Sequence, residues 1–142
     1  MNDVVFLATI NSEIKNIDPV VKENLSLLPN FIPNISKEDI LDLRLILSEA
    51  ISNAMIHGNN KDIAKSVFIK TEVVNKNTIL FKVENEGSGF NYKNIVQNVR
   101  FLDLYKEDGR GFLLINSLSD NVEFLQNGRE INIYKTVGPP NV

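Results

Sequence analysis

Glu49-Ala50-Ile51-Ser52-Asn53-Ala54-Met55-Ile56-His57-Gly58 is the stretch on which the reading of this chain turns. A carboxylate, a carboxamide and an imidazole recur at spacings of four residues. Four residues is about one helical turn, so the three polar side chains are expected on one helix face. The neighbouring positions Ala50, Ile51, Ala54 and Met55 are apolar and suit a core. A glutamate near the end of such a helix is costly to bury without a partner. Facing a cleft, Glu49 could act as a base toward a hydroxyl or a water. Asn53 offers a neutral oxygen of the kind Mg²⁺ accepts. Taken singly, each has a plainer reading as a solvated helix residue. His57 is the one histidine, so a histidine-rich zinc site is excluded, and HExxH is absent.

Outward from this helix, Ser36 followed by Asp39 marks its start as a capping box with the shorter acid, and Ile35 precedes it as the staple. Leu43, Leu47, Ala50 and Ala54 form its core stripe, and Gly58 ends it. Upstream, Val4 to Ile10 reads as a strand and Asp18 to Leu28 as a helix with Pro19 in its first turn. Downstream, Ser66 to Val74 and Thr78 to Asn85 read as strands joined through Asn75-Lys76-Asn77. A polar stretch to Asp108 follows, with a short helix expected around Asn94 to Val99. Phe112 to Leu118 reads as a helix with Leu113 and Leu114 toward the core. Val122 to Leu125 and Glu130 to Thr136 form a second hairpin through Asn127-Gly128, the strongest turn signal present. Tight turns between consecutive strands imply antiparallel pairs. The expected class is therefore α+β, a two-layer sandwich whose mixed, mostly antiparallel sheet is covered on one face by helices. One domain over residues 1–137 is expected, with a frayed tail at 138–142.

Composition narrows the function classes. The chain has 142 residues, 43% hydrophobic and 23% charged, with net charge −3. No basic tail or basic helix marks nucleic acid or an anionic membrane as its main partner. There is no cysteine, so disulfides, thiol chemistry and thiolate zinc sites are excluded. No apolar run approaches the roughly 20 residues that cross a bilayer. Val4 to Ile10 lacks a basic lead-in and is a poor signal peptide, which makes a cytoplasmic location the default.

Two glycine pairs complete the pattern. Gly87-Ser88-Gly89 follows a strand, where missing side chains let a flat base approach the backbone. Gly109-Arg110-Gly111 precedes a helix, whose free N–H groups and dipole favour phosphate, with Arg110 adding charge. Walker A, the protein-kinase HRD and DFG signatures and the Rossmann GxGxxG are absent.

The order acid–amide helix, strand–GxG, polar loop, GxG–helix resembles the Bergerat ATP-binding fold of gyrase-type, Hsp90-type and histidine-kinase ATPase domains. Within it the chain looks most like the bacterial anti-sigma factor serine/threonine kinases. Ser48-Glu49-Ala50, Asn53-Ala54 and His57-Gly58 match that family's N-box. Asn85-Glu86-Gly87-Ser88-Gly89-Phe90 is similar to its first glycine box, and Gly109-Arg110-Gly111-Phe112-Leu113-Leu114-Ile115 to its second.

The resemblance implies roles. Glu49 would be the catalytic base toward a substrate serine, and Asn53 the Mg²⁺ ligand beside the ATP phosphates. Gly87 and Gly89 would line the adenine pocket. Residues 91 to 108 would form an ATP lid, with Gly109, Arg110 and Gly111 as its hinge and phosphate contact. An anti-sigma antagonist would be the phosphorylated protein and a sigma factor the second partner, with a homodimer as the usual state. Neither nucleic acid nor a membrane would be bound directly.

Two departures stand out. The family usually has aspartate at the first glycine box, accepting from the adenine amino group; here it is Asn85, whose amide lacks the charge. Glu86 or a water would then have to compensate. Some relatives carry an arginine before the second box, where this chain has Lys106-Glu107-Asp108, leaving Lys106 or Arg110 as the nearest cation. The alternative function is a non-catalytic or weakly nucleotide-binding module of the same fold that acts by partner binding.

Overall fold

The computed structural model describes residues 2–87 and 107–138, with the side chains of 107–110 left out of the description. The expectations for Gly89, Lys106, the short helix at 94–99, most of the lid and the tail at 139–142 lie outside the described residues.

Strand β1 spans Asp3–Asn11 and helix α1 Ile17–Ser26. On α1, Val20, Val21, Asn24 and Leu25 are buried, spaced as one helix face requires. Buried Asn24 donates from Nδ2 to Thr71 Oγ1 at 2.7 Å, a polar tie between α1 and the sheet. Helix α2 spans Lys37–Asn53. Ser36 caps it, its Oγ accepting the Asp39 N–H at 3.0 Å. The reciprocal arm of a capping box is absent. Asp39 instead accepts the Gly138 N–H at 2.9 Å, tying the end of the last strand to the start of α2.

The sheet order is β1-β2-β3-β5-β4, with β2 at Ser66–Val74, β3 at Thr78–Asn85, β4 at Asn121–Leu125 and β5 at Glu130–Thr136. All four pairings are antiparallel, so the mostly antiparallel sheet carries no parallel pair among the described residues. Strand alternation divides its faces. Val67, Ile69 and Val73 join Ile79, Phe81, Val83, Ile131 and Ile133 in one core with the α2 residues Leu43, Ile46, Leu47, Ala50 and Ile51. The opposite face carries Phe68, Lys70, Lys82 and Glu84. There Glu72, only 6% exposed, sits between Lys70 Nζ at 3.7 Å and Lys82 Nζ at 3.6 Å. A bulge in β1 between Val4 and Phe6 buries both Val5 and Phe6. Both hairpins turn through left-handed backbone, at Asn75 and Lys76 in the first and at Gln126, Asn127 and Gly128 in the second.

Two expectations about helices need correction. Helix α3 spans Glu107–Leu118, so Gly109 and Gly111 lie inside it rather than before it. Its core residues are Phe112 and Ile115, while Leu113 and Leu114 are half-buried. Gly111 and Ile115, one turn apart, form the side that meets α2, and this rotates Leu113 and Leu114 away. Among the described residues, no helix is long and apolar enough to cross a membrane.

Candidate functional site

Glu49 and Asn53 lie in the last regular turn of α2, both half-buried. Their separation of four residues points them at the same neighbour, Gly111 of α3. A Cβ built on Gly111 would fall 2.6 Å from Glu49 Oε2 and 3.6 Å from Asn53 Oδ1. No positive φ accompanies Gly111. This glycine is required by the approach of the carboxylate, not by backbone freedom. The carboxylate and the amide oxygen thus converge on the first turns of α3. Two oxygen donors of this kind suit Mg²⁺ in chemical type.

His57 does not share this geometry. After Asn53 the backbone widens into a π-turn over Ala54–Gly58, closed by the Asn59 N–H on the Ala54 carbonyl at 2.9 Å. The wider turn breaks the register of four. His57 is found neither against Gly111 nor in the cavity described below.

The π-turn delivers Gly58 and Asn59 to the end of β3. A Cβ on Gly58 would lie 2.3 Å from Asn85 Cγ, and one on Gly87 would lie 1.8 Å from the Gly58 carbonyl oxygen. The N-box and the first glycine box are therefore packed backbone to backbone. Fully buried Asn59 locks them. Its Nδ2 donates to Ser12 Oγ and to the Ser66 carbonyl, both at 2.9 Å, and its Oδ1 accepts the Glu86 N–H at 2.9 Å. One amide side chain joins the start of β2 to the residues just past β1 and β3 at the edge of the site. The Glu86 carboxylate accepts the Ser66 N–H, so it is engaged on β2 and does not line the cavity beside Asn85.

Asn85 is 2% exposed. Its Oδ1 accepts the Gly87 N–H at 3.0 Å, and its Nδ2 donates to the Gly128 carbonyl at 3.4 Å. With Asn53, Phe112, Phe124 and Arg129 it lines a cavity of about 20 Å³ between α2, α3 and the sheet. That is room for about one water. Phe112 stacks on Phe124 over it, with ring centroids 5.9 Å apart.

Arg129 is the site residue that the sequence reading misses. Its carbonyl accepts the Asn85 N–H at 2.8 Å, which holds it beside the first glycine box. Its Nε is buried with no hydrogen-bond partner among the described residues. The Asn127-Gly128 turn gave notice of a hairpin at this point. No local signal pairs the second strand of that hairpin with β3. Of the other expected contacts, Gly89, Lys106 and the Arg110 side chain lie outside the described residues, and Gly109 is placed by its backbone alone, within α3.

Comparison with known proteins agrees with this arrangement. The family model described as the histidine kinase-like ATPase domain matches residues 21–135. Proteins called serine-protein kinase RsbW from Bacillus thuringiensis (strain Al Hakam) and Bacillus cereus (strain 03BB102) are 28% identical over 94 residues. A Bacillus anthracis RsbW gives the same identity over the same length. The match covers 62% of this chain and 58% of each relative, so the chain spans little more than half the length of these proteins.

Proposed function

The chain belongs to the histidine kinase-like ATPase domain family, and we propose that it is an ATP-dependent serine protein kinase that also restrains a sigma factor. The observation that carries this reading is the convergence of Glu49 Oε2 and Asn53 Oδ1 on Gly111. Phosphoryl transfer asks a protein mainly for positioning and charge stabilisation, and little covalent chemistry. The first turn of α3, where free helix N–H groups face anions, would hold the triphosphate. Glu49 takes the proton of a serine hydroxyl as its oxygen attacks the terminal phosphorus, and ADP departs with the bond electrons. Asn53 would hold Mg²⁺ through Oδ1, and the ion would supply charge neutralisation at the phosphates. The substrate is an anti-sigma antagonist protein, the chain works as a homodimer, and its setting is the cytoplasm. The similarity to proteins named serine-protein kinase supports this choice within the family.

Titration of Mg-ATP by calorimetry, followed by phosphorylation of an antagonist protein, tests the reading. Glu49→Ala is expected to abolish transfer and leave nucleotide affinity nearly unchanged. Transfer that survives this substitution removes Glu49 as the base. A non-catalytic module acting by contact alone is the second reading, favoured by Asn85 and by the small size of the cavity beside it. Absence of binding at millimolar ATP eliminates the kinase and leaves this second reading.

A further inference from the structure

The sheet face turned away from the helices carries its charges in rows. The pairing register sets Leu7, Lys70, Lys82 and Asn132 directly opposite one another on successive strands. Two residues along, Thr9, Phe68, Glu84 and Glu130 form the next row. Each row holds a like-charge pair on neighbouring strands, Lys70 beside Lys82 and Glu84 beside Glu130. Like charges so placed disfavour a sheet. The lysines share Glu72, at 3.7 and 3.6 Å. Glu84 and Glu130 have no cation within ion-pair distance among the described residues. The face is also apolar in part. Leu7 is 67% exposed, and Phe68 and Leu125 are each 39% exposed. Helices α1, α2 and α3 pack on the other side, around the core.

A second copy of the chain supplies cations for the acid pair. When two copies meet face to face about a two-fold axis, the direction of that axis decides which charges meet. An axis along the strands sets cation row on cation row and acid row on acid row. An axis across the strands, between the two rows, exchanges them. Lys82 then faces the partner's Glu84, and the symmetry makes this pair twice. On β2 the same axis sets Lys70 over the partner's Phe68, as a cation–π contact requires. The facing residues Lys82 and Glu84 lie on β3, the middle strand, where the twist of two packed sheets displaces them least. Packed sheets stand about 10 Å apart, a gap that a lysine and a glutamate span together. We propose that this open sheet face is the self-association surface of the chain, with the axis across the strands and Lys82–Glu84 as its reciprocal pair. The inference rests on the homodimer of the reading above and gives it a surface; the phosphoryl-transfer chemistry plays no part in it.

The test is the dimer dissociation constant, measured by sedimentation equilibrium on the full chain. The unsubstituted protein is expected to be a dimer at submillimolar concentration, weakened by added salt. Glu84→Lys sets cation against cation across the axis and is expected to weaken the dimer about tenfold or more. Lys82→Glu sets acid against acid, with the same expected loss. Glu23→Lys makes the same change of net charge as Glu84→Lys at an exposed position of α1, and is expected to leave the dimer unchanged. Equal mixing of the Glu84→Lys and Lys82→Glu proteins is expected to restore a dimer, because the cations of one then face the acids of the other. Circular dichroism checks that each variant is folded, above all Lys82→Glu, which brings a carboxylate toward Glu72. If that variant does not fold, the Glu84→Lys result decides alone. A Glu84→Lys dimer as tight as the unsubstituted one overturns this surface and leaves the homodimer standing, as does a mixture of folded variants that stays monomeric. A monomeric unsubstituted protein removes the homodimer and this inference with it, and the Mg-ATP titration still judges the kinase reading separately.

Discussion

Gly87 and Gly111 stand one in each glycine box, and each is a glycine because a Cβ would not fit. What stands in the way differs. At Gly87 the obstacle is the Gly58 carbonyl oxygen, 1.8 Å from the built Cβ, so backbone meets backbone. At Gly111 it is Glu49 Oε2, 2.6 Å away, the far end of a flexible side chain. The first box is part of a lock, in which Asn59 and Asn85 accept the N–H groups of Glu86 and Gly87. The second leaves space for the Glu49 carboxylate. One glycine serves the fold, and the other serves what Glu49 does.

Substitutions can break this contrast. The largest loss of stability is expected for Gly87→Ala, where neither backbone can yield cheaply. Overpacking of this kind costs about 3 kcal/mol or more. Denaturant unfolding measures it, and a loss under about 0.5 kcal/mol, within the usual range for a neutral surface change, removes the idea of a backbone lock. Asn59→Ala comes next, at about 2 kcal/mol, because the Glu86 N–H, the Ser66 carbonyl and the buried Ser12 hydroxyl each lose a partner. Ser36→Ala removes the α2 cap and is expected to cost about 1 kcal/mol. Gly111→Ala is expected to change stability least. Alanine is favoured over glycine inside a helix by about 1 kcal/mol, which offsets the displacement of Glu49. Serine phosphorylation should nevertheless fall at least tenfold in this variant, as the base is pushed from its place. An alanine variant that is strongly destabilised, or one that is fully active, would falsify the assignment of Gly111 to function.

Legibility in the sequence followed the range of the forces involved. The bounds of β2, β3 and β5 match the alternation of Ser66 to Val74, Thr78 to Asn85 and Glu130 to Thr136, because alternation is a local consequence of the pleat. The Ser36 cap was equally local, a side chain bonding three residues on. Its partner arm was not. Asp39 has a choice of acceptor duties, and the arrival of Gly138 from the far end of the chain decides it. The start of α3 was misplaced because glycine was read as a helix boundary, whereas α3 tolerates Gly111 for the sake of Glu49. His57 shares a face with Glu49 and Asn53 only in a regular helix. The π-turn that separates it closes on Asn59, whose bonds reach strands remote in sequence.

The chain by itself determined the α+β class, the helix that carries Glu49 and Asn53, and the two glycine boxes. Each is set by patterns within a turn or a strand, where sequence distance and spatial distance agree. Tertiary structure alone decided that Asn59 bolts the N-box to the first glycine box, that Asn85 accepts the Gly87 N–H, and that Arg129 enters the site. Those outcomes depend on β5 pairing with β3 and on α3 meeting α2. Such meetings are selected by burial of the whole core, a non-directional force roughly proportional to the apolar area removed from water.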